Sequence, residues 1–421
     1  MANKSQTHKD VVCPFCSLLC DDLIVEERDA HLTVLENGCG KSRRGFESTS
    51  RHGGPMLRGQ PVAIDEAVNK AAALLKKSRR PLISGLGCDV AGSRAAMLLA
   101  EQAGAVIDHG QSDAAVHNLL ALQEGGWIMT TLTELKNRAD FVLFLGTDTV
   151  NNYPRFFERY IWNESSLFLQ GKTPRKLAYL GHRLDTRPGI PPSGKKPLSI
   201  NCDSEALIDY VTLLTAMLRD KDFKSEFVSA QKQNKLQKLA EEMKQARYGV
   251  IVWSPGEVSI EHGELLVQSI SDLIRYLNRR GRFAGLSLGG DNGGASFTNV
   301  CAWQTGYPLR VDYGGGAPRY NAWRHSTRHM LSGGLADTLL WISAYESQPE
   351  RPKTSIATIV LSCIADETAE VYIPVGTPGL DHPGNLFRTD SVVNLPLKSL
   401  RSPAAPDAAD ILSRISGALT S

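Results

Sequence analysis

Four cysteines crowd the first 39 residues, spaced as Cys13-x2-Cys16-x3-Cys20-x18-Cys39. Gaps of two and three residues let thiolates from one turn converge on a common centre, and the distant Cys39 can close it. Four thiolates suit a [4Fe–4S] cluster or a structural zinc ion. Zinc more often shows two paired Cys-x-x-Cys knuckles, whereas the second half of this set has a single cysteine. The bland alternative is four thiols with no ligand left. Cys88, Cys202, Cys301 and Cys363 are scattered and read as buried thiols.

Weaker candidates lie elsewhere. His109 and His117 flank Asp113, a pattern that serves acid/base work but also arises readily among ten histidines. Arg319 with Tyr320, and Arg310 with Asp312, fit either a phosphate-bearing ligand or an interface ion pair. Asp381-His382 offers an acid and a base, although the preceding Pro378-Gly379 equally marks a loop. No Gly-x-Ser-x-Gly, Walker or dinucleotide fingerprint is present.

The elements that must position these residues follow from hydrophobic periodicity. Two short strands, Leu23–Glu26 and Leu32–Leu35, predict a hairpin turning at Arg28-Asp29. From Pro61 onward, apolar runs stop at small residues: 81–87, 141–146, 250–253, 283–288 and 356–361. Helical patterns stand between them at 93–102, 203–218 and 264–278. Continuous apolar strands between helices predict an α/β, doubly wound, mostly parallel sheet architecture. Such sheets build ligand crevices at the carboxyl ends of their strands. The Pro/Gly-rich stretch 187–197 reads as a boundary or long loop, and Gly289 to Pro318 as a glycine-rich irregular region. The expected division is a small Cys-rich domain at 1–60, an α/β domain at 61–200 and a second at 201–421. The tail from Ser402 is Ala/Pro-rich, then weakly helical.

The chain has 421 residues with 47 Lys+Arg against 45 Asp+Glu, a net charge of +2. That balance, with no long single-sign run, argues against a dedicated nucleic-acid binder. No apolar stretch reaches the roughly 18 residues of a membrane span, and the N-terminus is polar, so a cytoplasmic protein is expected. Trp127, Tyr153 and Trp323 are expected to be exposed, in keeping with large interfaces.

The segment Asp10-Val-Val-Cys-Pro-Phe-Cys-Ser-Leu-Leu-Cys-Asp-Asp22 resembles the B subunits of the formylmethanofuran dehydrogenases, within the molybdopterin oxidoreductases. The likeness continues through 103–108, 119–123, 134–140, 303–308 and 318–321. It implies sheets of the molybdopterin-oxidoreductase type behind a small N-terminal Cys-rich domain, with Cys13, Cys16, Cys20 and Cys39 at the cluster-ligand positions. The same resemblance implies a molybdenum or tungsten bis-pterin centre beside the cluster, and there this chain departs. The family's metal-binding Cys and its His fall at Ala114 and Ala115, and a methyl group can neither ligate a metal nor carry a proton. The family's basic residue between cluster and pterin falls at Gly45, before Phe46. Further departures stand at Gly146-Thr147-Asp148, Gly289-Gly290-Asp291, Tyr345-Glu346-Ser347 and Ile364-Ala365-Asp366-Glu367.

Retained packing segments with altered cofactor loops imply a redox centre that has been lost, with molybdopterin and tungstopterin absent. This pattern resembles the bacterial formyltransferase/hydrolase complex of tetrahydromethanopterin-linked one-carbon oxidation. The expectation is a non-catalytic structural subunit in company with three others: amidohydrolase-like, glutamate-synthase-like and formyltransferase in kind. At the four cysteines it is a possible [4Fe–4S] cluster or a vestigial site. The alternatives are an active molybdenum/tungsten formylmethanofuran dehydrogenase chain, and an independent hydrolase using His109 or His382.

Overall fold

The computed structural model describes residues 5–48, 53–163, 166–169, 175–221, 228–258, 260–345, 350–403 and 405–420. At the N-terminus, strands Gln6–Val11, Leu23–Arg28 and His31–Glu36 form an antiparallel sheet. The hairpin turns at Asp29-Ala30, both at positive φ (52° and 66°), which suits the right-handed twist of paired strands. The turn therefore lies one residue beyond the expected Arg28-Asp29. Val25, Leu32 and Val34 are buried beneath it.

The chain falls into two compact units, 1–112 with 290–421, and 113–289. The first carries a nine-stranded sheet whose centre, Pro81–Gly87, Thr338–Ser343, Ala357–Ser362 and Val371–Pro374, is parallel. These strands are apolar along nearly their whole length because they are covered on both faces. The second carries five parallel strands in the order Leu198–Asn201, Lys176–Gly181, Phe141–Leu145, Tyr248–Trp253 and Arg282–Ser287. The expected boundaries near 60 and 200 do not coincide with these units. Residues 81–87 pair with 338–343 across the sequence, so the first sheet is completed only after the second unit has been inserted.

Expected helices are present as Val90–Ala103, Leu207–Leu218 and Gly263–Leu277. The first is capped by the Asp89 side chain, which accepts the Gly92 N–H, and stops at Gly104 in the left-handed region. The region 289–318 is not irregular throughout, since Gly294–Thr305 is a helix. Its bounding glycines, Gly293 and Gly306, are left-handed caps at φ 80° and 79°. A C-terminal helix, Ala408–Thr420, answers the weak helical pattern of the tail.

Candidate functional site

The cysteine turn is built from backbone bonds. Cys13 N–H donates to Cys20 O at 2.8 Å and Leu19 N–H donates to Cys16 O at 3.1 Å; Leu19 takes φ 47° to close the loop. Cys39 stands at the start of helix Gly40–Glu47, where its N–H donates to Ser42 Oγ at 2.7 Å. Cys13, Cys16 and Cys20 are buried, Cys39 is half-buried, and none is in a disulfide. Burial pushes the Cys13 thiol well up, and the charges of Cys16, Cys20 and Cys39 push it further, so the four groups face one neighbourhood.

Among the described residues, however, no three His, Cys, Asp or Glu side chains close tightly enough to hold a single metal ion. Four sulfurs around one zinc lie about 3.8 Å apart, from Zn–S bonds of about 2.3 Å. A cubane spreads its four cysteines over separate irons and needs a wider set. In type and number the four thiols suit a [4Fe–4S] cluster.

Asp291 reaches this turn. Its Oδ1 accepts the Ser17 N–H at 2.7 Å, and Oδ2 faces Lys41 Nζ at 3.5 Å. After burial, Asp291 is the largest cause raising the Cys16 thiol. At Gly45 a Cβ would stand 2.5 Å from the Phe15 ring, which meets buried Phe46 edge-on at 5.1 Å. The position that the resemblance assigns to a basic side chain thus has no room for any side chain.

The carboxyl ends of the central parallel strands are closed in the same way. Gly293 lies on the Cys88 backbone, Gly384 would bring a Cβ within 2.7 Å of Asp89 Oδ2, and Tyr345 is fully buried. Burial raises the Tyr345 phenol, as do the charges of Asp89, Cys88 and Cys363. Its Oη has no hydrogen-bond partner among the described residues. These contacts pack the strand ends around Cys88, Asp89 and Tyr345. Glu346 and Ser347 lie outside the described residues.

In the second unit, Ala114 stands 4.0 Å from the Cβ position of Gly256. The Gly146-Thr147-Asp148 loop is tied to Glu257: Thr147 Oγ1 donates at 2.5 Å and the Asp148 N–H at 2.7 Å. At the last altered loop, Ile364 N–H donates to Ser362 Oγ at 3.0 Å and Asp366 pairs with Arg351 at 2.9 Å.

The weaker candidates are brought into other partnerships. His109 is buried and driven down to about 3, by burial first and then by Arg310, so it is neutral near pH 7. Its Nδ1 accepts the Gln111 N–H at 3.3 Å, and its Nε2 has no partner among the described residues. His117 Nδ1 lies 3.0 Å from Glu264 Oε2. Arg310 does not pair with Asp312: it is buried beside Asp108, Nε to Oδ2 3.7 Å, while Asp312 holds Arg80 at 2.8 Å. Burial raises Asp108 to about 6 against the opposing effect of Arg310. Asp381 is fixed by Arg401 at 2.7 Å and by the Thr377 N–H at 2.8 Å, and His382 turns its ring nitrogens toward the Pro383 and Gly376 carbonyls. Among the described residues, neither His109 nor His382 stands in a nucleophile–base arrangement. Tyr345 and the Phe15–Gly45 contact are the features that residue spacing did not reveal, since nothing in a pattern shows which side chain fills a crevice.

The site is therefore a set of four thiols in the N-terminal segment of a protein whose two larger sheets are mainly parallel. No family model matches the chain. Among curated proteins it is 31% identical over 339 residues to the B subunit of the formyltransferase/hydrolase complex of Methylorubrum extorquens, covering 79% of this chain and 87% of that one. It is 28% identical over 409 residues to the B subunit of tungsten-containing formylmethanofuran dehydrogenase 2 of Methanococcus maripaludis, covering 92% of each. The Methanocaldococcus jannaschii protein of the same name is 29% identical over 406 residues, covering 91% of this chain and 92% of that one. Among solved structures, a chain of the formyltransferase/hydrolase complex of Methylorubrum extorquens, crystallised with methylofuran, superposes with a TM-score of 0.74 at 30% identity. The match covers 87% of this chain and 98% of that one. The chain belongs to the family of B subunits shared by formylmethanofuran dehydrogenases and formyltransferase/hydrolase complexes.

Proposed function

We propose that this chain is a non-catalytic structural subunit of a formyltransferase/hydrolase complex in tetrahydromethanopterin/methanofuran-linked one-carbon metabolism, derived from a molybdopterin oxidoreductase whose redox centre has been lost. Its partners in this reading are three other subunits in the cytoplasm: amidohydrolase-like, glutamate-synthase-like and formyltransferase in kind. The observation that carries the proposal is the packing at the strand ends: Tyr345 fully buried, Gly293 seated on Cys88 and Gly384 set against Asp89. Ala114 and Ala115 support it, because neither offers a metal ligand or a proton carrier. A working dehydrogenase needs both the space and the ligand.

We further propose that Cys13, Cys16, Cys20 and Cys39 hold a [4Fe–4S] cluster that serves folding, the small Cys-rich N-terminal domain being its frame. Without a pterin neighbour it has no electron partner. Elemental analysis of the purified complex tests the main reading. Tungsten and molybdenum below one-tenth per chain are expected, and near-stoichiometric amounts of either would overturn it.

A further inference from the structure

The segment from Trp303 to Arg324 carries aromatic side chains that the core of the first unit does not use. Trp303 and Trp323 are 61% and 58% exposed, and Tyr307 is 37% exposed. Scattered exposed apolar residues are ordinary, but these fall within one stretch of chain and two of them are braced by other rings. Trp303 meets Phe387 edge-on at 5.3 Å, and Tyr307 stacks on Tyr320 at 5.5 Å with 12° between the planes. Trp323 sits on a turn where Asn321 Oδ1 accepts the N–H groups of Trp323 and Arg324 at 3.0 and 2.8 Å. Rings held in this way lose little conformational freedom when a partner covers them.

The charge along this segment has one sign. Between Cys301 and Gly334 the exposed cations include Arg319 and Arg324, while the only acid is Asp312. That acid is buried and held by Arg80 at 2.8 Å. A two-fold contact between copies would set this segment on itself, cation against cation, with no exposed carboxylate of its own to answer. A near-neutral chain, +2 overall, is also a poor polyanion binder.

We infer that the surface formed by Trp303, Tyr307, Arg319, Trp323 and Arg324 docks a different polypeptide of the complex, one that offers an apolar centre ringed by Asp and Glu. The inference rests on the proposed membership of a multi-subunit complex and adds where, and by what chemistry, one of its members binds. Trp, Tyr and Arg are the residue types that carry most of the energy in such contacts.

The test uses the complex purified through a tag on the full-length chain from its own organism. Arg319→Glu/Arg324→Glu and Trp323→Ala are compared with wild type, and Lys195→Glu, exposed on the second unit, is the charge-reversal control. Native mass spectrometry should show the assembled fraction falling at least ten-fold in both patch variants and unchanged in the control, with melting of each isolated chain unaltered. Hydrogen exchange across 319–328 should slow in the wild-type complex relative to the isolated chain. A wild-type chain that purifies alone sinks the reading of complex membership. A complex that assembles equally with the patch variants, and exchanges freely across 319–328, overturns the docking surface and leaves membership standing. Protection that arises from self-association of the isolated chain, or only on adding duplex DNA, also overturns it.

Discussion

Gly293 rests on Cys88 so closely that a Cβ on the glycine would overlap the Cys88 carbonyl oxygen, and the glycine stands at φ 80°. Backbone strain and steric overlap act together here, since alanine disfavours this region and its methyl group has no space. Gly293→Ala should therefore cost about 3 kcal/mol or more of unfolding free energy, read as a shift in the urea midpoint. A cost below about 1 kcal/mol would mean that the crevice is looser than its packing indicates.

Tyr345 separates two contributions. Its ring fills the crevice, whereas its buried hydroxyl has no partner among the described residues. Tyr345→Ala should cost about 3–5 kcal/mol through the cavity it leaves. Tyr345→Phe should be neutral or stabilising by about 1 kcal/mol, because an unsatisfied buried hydroxyl is removed. A large loss in the phenylalanine variant would show that the hydroxyl has an essential partner.

The central strands were legible because strands covered on both faces appear as continuous apolar runs, as in Phe141–Leu145 and Tyr248–Trp253. Helix Gly294–Thr305 was hidden by its own glycine caps, which read as loop. The Cys-rich turn was legible because its spacing is local, and the Cys13 N–H closes it on Cys20 O at 2.8 Å. Long-range pairing was not: Val311 lies opposite Ile107 in an antiparallel register, so Arg310 comes to Asp108 rather than to its near neighbour Asp312. Trp323 is exposed as expected, while Tyr153 is buried and Trp127 packs against Trp253 at 5.9 Å. Aromatic type alone does not say which face a residue takes.

If the four thiols hold a cluster that serves folding, Cys13→Ser and Cys16→Ser should each lose iron and lower the melting temperature of the chain, with turnover by the partner subunits unchanged in whatever complex forms. Iron analysis and calorimetry read this directly. Wild-type melting and assembly in both variants would mark the site as vestigial.

The neighbours Asp108 and His109 predict opposing pH effects. Asp108, raised to about 6 from 3.8, lets the folded state bind the extra proton between those values, so its share of stability falls as pH rises through them. His109, lowered to about 3 from 6.5, leaves the extra proton on the unfolded chain, so its share rises with pH across that range. Between about pH 4 and 6 the two slopes, each about 1.4 kcal/mol per pH unit, nearly cancel. Asp108→Asn should unmask a rise in stability with pH, and His109→Gln a fall. Denaturant melts at pH 4, 5 and 6 that show the same slope for both variants would refute this assignment.

Gly45 offers a test by sign. It lies inside helix Gly40–Glu47, where replacing glycine by alanine ordinarily stabilises by about 0.5–1 kcal/mol. Here the new methyl would stand 2.5 Å from the Phe15 ring, and such overpacking typically costs about 1–3 kcal/mol. Gly45→Ala should therefore destabilise. In a Phe15→Ala background the ring is gone and the same change should recover its ordinary stabilising sign, giving a coupling energy of about 2 kcal/mol or more in the double-mutant cycle. A basic side chain at this position, Gly45→Lys, should fail to fold well unless Phe15 is first reduced. A well-folded Gly45→Lys protein with Phe15 intact would show that the space beside the cysteines was never closed.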